Sequence, residues 1–423
     1  MIAEIRSQII TDPQVTIPSS KSISHRALIA AALAEGTSRI MMPVENDDTA
    51  ATISCLKHLG AGFLKEGSDL LVTGCGGRIH YDGQIVDCGE SGSTLRFLIP
   101  VFALLKEKAV FTGHGRLMQR PQGVYEDIFH QRNLMFEQNG ETLVIRGPLT
   151  GGEFEVDGNV SSQFISGLMF ALPLCKEDSR IRIIPPMASA SYVNLTVDAL
   201  AKAGVKVTGG PLVWDISGNG TYHPFESRIE GDASQAAFFA VLSAITQTPF
   251  TVHNLNHDSH QGDMAILKIM KTFGTGNEKT EDGYIFRPDC LKGCEVDLED
   301  CPDLGPVLFA LATQAEGTSI FRNTARLRIK ESDRVQAMAE ELHKLGCDMR
   351  ADENSVIIHG KTKLHGGVAL ESHKDHRIAM ALSILASVAE NPVTISGAEA
   401  IAKSYPEFYE HLEKTGIGVK TYD

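Results

Sequence analysis

Basic and hydroxyl residues of this chain gather where helices are expected to begin. In Pro18-Ser19-Ser20-Lys21-Ser22-Ile23-Ser24-His25-Arg26, Lys21 falls in a first turn and Arg26 one turn beyond Ser22. Cations there oppose the helix dipole. An anion lodged on the unpaired N–H groups would make the placement favourable; two side chains reaching solvent would explain it equally well. Lys374-Asp375-His376-Arg377 sets three potential cations around a cap that opens an apolar run. Solvation explains that cluster less easily. Arg328-Ile329-Lys330-Glu331-Ser332-Asp333-Arg334 spaces Lys330 and Arg334 four apart, on one face of a helix, where like charges repel. Taken alone, with Glu331 and Asp333 between them, it reads as a solvated charged helix. Arg116-Leu117-Met118-Gln119-Arg120-Pro121 is a basic loop leading into the next helix, and Lys403 precedes a short one. Ser161-Ser162-Gln163 offers hydroxyl and amide donors at another start, although capping alone accounts for Ser161. Asp303 reads first as a cap. Its functional alternative is a general base, with Glu331 as partner acid if its surroundings tune its pKa. The chemistry these types allow is binding of a multiply charged anion, with proton transfer beside it.

The elements that must carry these residues repeat. Ser20, Ser91, Ser161, Asp232, Asp303 and Asp375 stand 70 to 72 residues apart, and each opens a mostly apolar run. Ser and Asp are favoured N-caps, so six capped, buried helices are predicted, each followed by a strand. A second, amphipathic helix follows in most units, as in NDDTAATISCLKHLGAGF, SYVNLTVDALAKAGVKV and ESDRVQAMAEELHKLGCDM. Each ends at a glycine stop. Strand-like runs come next, at Asp69 to Val72, Glu141 to Ile145 and Ser355 to Ile358. Each unit is thus helix, strand, helix, strands.

Three starts are Ser and three are Asp, which divides the chain near Arg228 to Gly231. The segment from Ile2 to Ile17 precedes any unit and is expected to complete the last one. Two domains follow: residues 1–18 with 230–423, and an inserted domain of residues 19–229. Crossings near Pro18–Ser19 and Ile229 would then form a hinge, whose closure would exclude water from a site.

With 423 residues, 43% hydrophobic and 22% charged, the chain has the make-up of an ordinary soluble globular protein of two domains. A net charge of −14 argues against general nucleic-acid binding, so an anionic ligand must be drawn by a local basic pocket. Eight scattered cysteines form no CxxC pair, and no histidine completes a zinc spacing around Cys290, Cys294 and Cys301. Reduced, mostly buried thiols in the cytoplasm are expected. Neither a signal segment nor a membrane span is expected. Neither GxxxxGK[ST], a strand-linked GxGxxG, GxSxG nor HExxH occurs.

PSSKSISHRA, GESGSTLR, QRPQG, GNVSSQFISG, RIKESDRV, DHRIAMA and AKSYPEF occur in this order along the whole chain. Together they resemble the 5-enolpyruvylshikimate-3-phosphate synthases, within the enolpyruvyl transferase family. The resemblance implies an α/β (α+β) fold of two similar domains, each of three βαβαββ units. It implies transfer of the enolpyruvyl group of phosphoenolpyruvate to the 5-hydroxyl of shikimate 3-phosphate, through a tetrahedral intermediate, on the shikimate pathway to chorismate. By the same resemblance, shikimate 3-phosphate would contact Lys21, Ser22, Arg26, Ser161, Ser162, Gln163, Ser189, Asp303 and Lys330, with Tyr192 near the ring. Phosphoenolpyruvate would meet Lys21, Gly92, Arg120, Gln163, Arg334, Arg377 and Lys403. At Gly92 a side chain would crowd the small substrate. Asp303 would be the base at the hydroxyl and Glu331 the proton carrier at the methylene, with Lys21 and His376 assisting. No metal or organic cofactor is required, and a monomer acting on small anionic substrates is expected.

Three positions depart from the pattern. Glu90 stands where many members carry Asn, followed by Ser93 where Thr is frequent, and Arg326 stands where Asn is common. The nearest rival, a related transferase acting on a UDP-sugar, carries a cysteine in the loop before its Arg-Pro. No cysteine occurs here between Cys88 and Cys175. A non-catalytic anion-binding scaffold would explain the helix starts but would not need Asp303 and Glu331.

Overall fold

The computed structural model describes residues 1–187 and 189–423. The chain divides into two compact units, Met1–Pro18 with Glu230–Asp423, and Ser19–Ile229. Each unit has its own hydrophobic core.

Among the described residues each unit holds three four-stranded sheets of one recurring order. An opening strand lies parallel to the strand that follows the buried helix, and two antiparallel strands complete the sheet. In one such sheet Gly152–Asp157 runs parallel to Ser179–Ile184, with Phe154 opposite Ile181; Val213–Ile216 and Val207–Gly209 follow antiparallel. The helix Ser162–Ala171 makes the crossover that a parallel pair requires.

The opening strands are not always the nearest in sequence. Glu226–Arg228, at the far end of its unit, pairs with Thr37–Met41, Ser227 opposite Ile40. In the other unit Gln14–Thr16 pairs with Phe250–His253, while Ile2–Arg6 lies between Val393–Ser396 and Gly418–Tyr422. The segment Ile2 to Ile17, read as serving only the last unit, therefore supplies two sheets. Asp12-Pro13 turns the chain between the two strands, since proline has no N–H to continue a ladder; the Pro13 carbonyl instead accepts from Thr251 N at 2.8 Å.

Among the described residues six interior helices run from Lys21–Leu33, Gly92–Phe102, Ser162–Ala171, Ala233–Thr246, Gly305–Gln314 and His376–Ala386. Apolar residues on nearly every side demand burial all round. From Ala233 to Ala244 every residue is buried. Burying Phe238 and Phe239 contributes roughly 1.5–3 kcal/mol each. The outer helix Ala265–Phe273 buries only Ile266, Met270 and Phe273, one stripe at spacings of four and three.

Ser91, Ser161, Asp232 and Asp375 cap their helices, accepting from the backbone of Thr94, Gln163, Ser234 and Arg377. Ser20 holds the cap position of its helix without a side-chain cap bond. Asp303 is not a cap: it lies inside a 3-10 turn, Pro302–Leu304, and Leu304 takes the cap position. Three cations described below draw its carboxylate away from the backbone. The expected helix through Lys330 also differs. Ala325–Ile329 is 3-10, and the α-helix Arg334–Lys344 starts only after Asp333, which accepts from Gln336 N at 2.9 Å. Lys330 and Arg334 therefore do not share a helix face. Among the described residues no helix is long and apolar enough to cross a membrane.

Candidate active site

In the unit Ser19–Ile229, Lys21 starts its helix and its ammonium meets Asp48 Oδ2 at 2.8 Å. Arg26, one turn on, is 2% exposed. Its guanidinium donates to Thr196 Oγ1, the Ser22 carbonyl and the Tyr192 carbonyl at 2.8, 2.8 and 2.9 Å. It also packs over the Phe97 and Tyr192 rings. Burial draws its pKa down to about 10, partly opposed by Tyr192, so it stays a cation at neutral pH. Neither Lys21 nor Arg26 simply reaches into solvent.

Gly92 and Arg120 are in contact. A Cβ on Gly92 would lie 2.5 Å from one terminal guanidinium nitrogen of Arg120. The glycine thus makes room for an arginine, a second reason besides the space a small substrate needs. Arg96, one turn above Gly92, donates to Gln163 Oε1 at 2.9 Å and to the Pro121 carbonyl at 3.0 Å. Gln163 in turn donates to Ser93 Oγ at 2.9 Å. The helix Ser162–Ala171 comes this close because residue 167 is glycine: a Cβ there would strike the Tyr125 hydroxyl and the Arg96 carbonyl. Ser161 caps, Ser162 is buried behind it, and Ser189 heads the helix Ala190–Lys202 with left-handed backbone, its carbonyl accepting from Tyr192 N at 3.1 Å. Glu90 packs against Gly115, whose added Cβ would lie 2.7 Å from Glu90 Oε2.

The other unit gathers Asp303, Lys330, Glu331, Arg334, Asp375 and Arg377. Arg334, 1% exposed, donates to Asp375 at 2.8 Å, to Asp303 at 2.9 Å and to Glu331 at 2.8 Å. Burial works against its charge, but Asp375, Glu331 and Asp303 outweigh that and raise its pKa. Asp303 also accepts from Lys330 at 3.4 Å and from Arg377 at 3.3 Å, while its side chain keeps 25% exposure. Burial lowers the Lys330 pKa to about 8; Asp303 raises it, and Arg334 and Arg326 lower it further. Arg377 is anchored on Ser234 Oγ at 2.8 Å. His376 Nδ1 lies 3.9 Å from Asp375 Oδ1, and Lys403 donates to the Lys374 carbonyl at 2.8 Å. Arg326 donates to the Glu299 carbonyl at 3.2 Å. The repulsion read between Lys330 and Arg334 is offset by the protein's own Asp303. A buried ionic cluster replaces the solvated helix.

Sequence reading passed over Asp48 and Arg96. Arg96 stands inside GESGSTLR, four residues after Gly92, where the helical spacing could have raised it.

The family model for EPSP synthase (3-phosphoshikimate 1-carboxyvinyltransferase) matches residues 9–412. The chain belongs to the EPSP synthase family. It is 45% identical over 406 residues to the 3-phosphoshikimate 1-carboxyvinyltransferase of Clostridium kluyveri, covering 95% of each chain. To the protein of that name from Clostridium novyi it is 41% identical over 414 residues, again covering 95% of each. Among solved structures, an EPSP synthase from Acinetobacter baumannii matches with a TM-score of 0.82 at 26% identity, over 99% of this chain and 100% of that one. The α/β architecture of this EPSP synthase family member is thus shared with a solved relative.

Proposed function

We propose that the two groups of residues serve one reaction, in which phosphoenolpyruvate gives its enolpyruvyl group to the 5-hydroxyl of shikimate 3-phosphate. Family membership supplies the reaction, and the chain's residues supply the roles. Lys21, Ser22, Arg26, Ser161, Ser162, Gln163, Ser189, Asp303 and Lys330 bind shikimate 3-phosphate. Lys21, Gly92, Arg120, Gln163, Arg334, Arg377 and Lys403 bind phosphoenolpyruvate, where planar guanidinium forks suit carboxylate and phosphate.

The observation that carries the chemistry is Asp303, held by Lys330, Arg334 and Arg377 yet still one-quarter exposed. A carboxylate fixed this way presents a positioned oxygen as proton acceptor. As the 5-hydroxyl oxygen bonds to the substituted enol carbon, Asp303 takes its proton. Glu331 delivers a proton to the methylene, making it a methyl group. The tetrahedral intermediate then loses phosphate, which departs from that carbon with the proton held by Asp303, and the methyl returns a proton to Glu331, which restores the double bond. His376 and Lys21 assist the proton movements. Asp48 pairs with Lys21, and Asp303 and Glu331 pair with Arg334. Preorganised cations then stabilise the charge that develops.

Phosphate release tests the reading. Phosphoenolpyruvate should yield phosphate only with shikimate 3-phosphate, and Asp303→Ala should keep binding of that substrate better than turnover. Release with a UDP-sugar instead would favour the related transferase. The absence of cysteine from the loop before Arg120 argues against that rival. Eight unpaired cysteines suit a reducing cytoplasm, and a core for each unit suits a monomer.

A further inference from the structure

A buried chain of polar side chains runs behind the Lys21 and Gly92 helix starts. His25 Nδ1 lies 2.7 Å from Thr52 Oγ1, and Thr52 Oγ1 lies 2.6 Å from Thr94 Oγ1. The Thr94 hydroxyl donates to Ser91 Oγ at 2.8 Å. His25, Thr52 and Thr94 are wholly buried, and Ser91 is 1% exposed. They stand on three helices: Lys21–Leu33, Asp47–Lys57 and Gly92–Phe102 with its cap.

The chain runs beside residues assigned above to phosphoenolpyruvate. The Asp48 carbonyl oxygen lies 3.3 and 3.4 Å from the Thr52 and Thr94 hydroxyl oxygens, while its carboxylate holds Lys21. Ser91 Oγ accepts from Thr94 N at 3.2 Å, fixing the turn on which Gly92 sits. One donor order satisfies the shortest contacts throughout: His25 Nδ1–H to Thr52, Thr52 O–H to Thr94, Thr94 O–H to Ser91. That order needs only a neutral imidazole with its proton on Nδ1. Burial first, then the charges of Lys21 and Arg26, hold the His25 pKa well below the ordinary histidine value.

We propose that His25, Thr52 and Thr94 are positioning residues, which lock the helix start carrying Lys21 to the one carrying Gly92 and so set the phosphoenolpyruvate subsite. This rests on the assignment of Lys21 and Gly92 to that substrate. The residues make no contact with the reacting atoms. Their contribution is geometry, and small misplacements of binding groups cost rate steeply.

Thr52→Val and Thr94→Val keep the shape and remove the hydroxyls; Thr52→Ser and Thr94→Ser keep the hydroxyls. Steady-state phosphate release should show each valine variant raising KM for phosphoenolpyruvate about tenfold, the scale of one buried hydrogen bond. The serine variants should stay near wild type. The double valine variant should cost less than the product of the singles, because the chain is already broken. Valine variants that lower the urea midpoint yet keep wild-type KM and kcat would overturn the proposal, and so would strictly multiplicative effects. Should a valine chain fail to fold, His25→Asn, which keeps a donor near the Nδ1 position, is compared with His25→Ala; equal KM values would overturn it. An inactive wild type would bring down the functional reading and this role together. An active wild type with unaffected variants would bring down the positioning role alone.

Discussion

Lys330 is the residue whose protonation the surroundings move into a measurable range. Its pKa is lowered to about 8 from 10.5, chiefly by burial. Below about 8 it offers shikimate 3-phosphate a cation; above, it does not. KM for that substrate should therefore rise as pH passes upward through this value, and Lys330→Arg should remove the inflection. Folding stability runs the other way. The unfolded chain binds more protons between about 8 and 10.5, so the Lys330 contribution grows with pH across that window. At Gly92 the prediction is steric. Gly92→Ala puts a methyl 2.5 Å from the Arg120 guanidinium, which must shift. The expected loss in kcat/KM for phosphoenolpyruvate is about 10²-fold, the scale of a 1 Å misplacement. A titration of phosphoenolpyruvate showing wild-type kcat/KM would contradict that contact.

Helix starts carry the site, and their strength depends on partners from other helices. Asp375 shows this: it caps its own helix, accepting from Arg377 N, and also holds Arg334 and Ser332. Asp375→Ala removes the cap and leaves the buried Arg334 short of one carboxylate. Breaking a buried pair from one side costs about 3–5 kcal/mol. A matching fall in urea-derived stability is expected; a change within experimental error would mean that Asp303 and Glu331 suffice. The period of helix starts and the amphipathic second helices were legible in the sequence because local spacing dictates them. The Ser91, Ser161, Asp232 and Asp375 caps follow from that spacing alone. Asp303 looked like a fifth such cap, yet its carboxylate goes to cations 27, 31 and 74 residues away. Lys21–Asp48 and Thr52–Thr94 likewise join residues 27 and 42 apart, on different helices. No local pattern announces contacts that only packing creates. The helix face read for Lys330 and Arg334 differs for a nearer reason, since Asp333 caps the helix and leaves Lys330 outside it.

Each unit repeats one sheet order three times over its own core, and the inserted unit closes on itself. Its first sheet is opened by Glu226–Arg228 from its own far end, and Ser19 Oγ donates to the Ile229 carbonyl at 3.4 Å. Residues 19–229 expressed alone should fold, with one cooperative urea transition and dispersed amide resonances. A gradual, non-cooperative loss of structure would show that they depend on the rest of the chain. Over the whole chain a net charge of −14 opposes anionic ligands, so the basic residues at the helix starts must act locally. The central claim is that the enolpyruvyl group, and not the phosphoryl group, is transferred. Phosphoenolpyruvate carrying heavy oxygen in the bridge between carbon and phosphorus tests it most directly. Turnover with shikimate 3-phosphate should break the carbon–oxygen bond, so the heavy atom should leave with the phosphate. Heavy oxygen recovered in pyruvate, or phosphate released at the same rate without shikimate 3-phosphate, would contradict it.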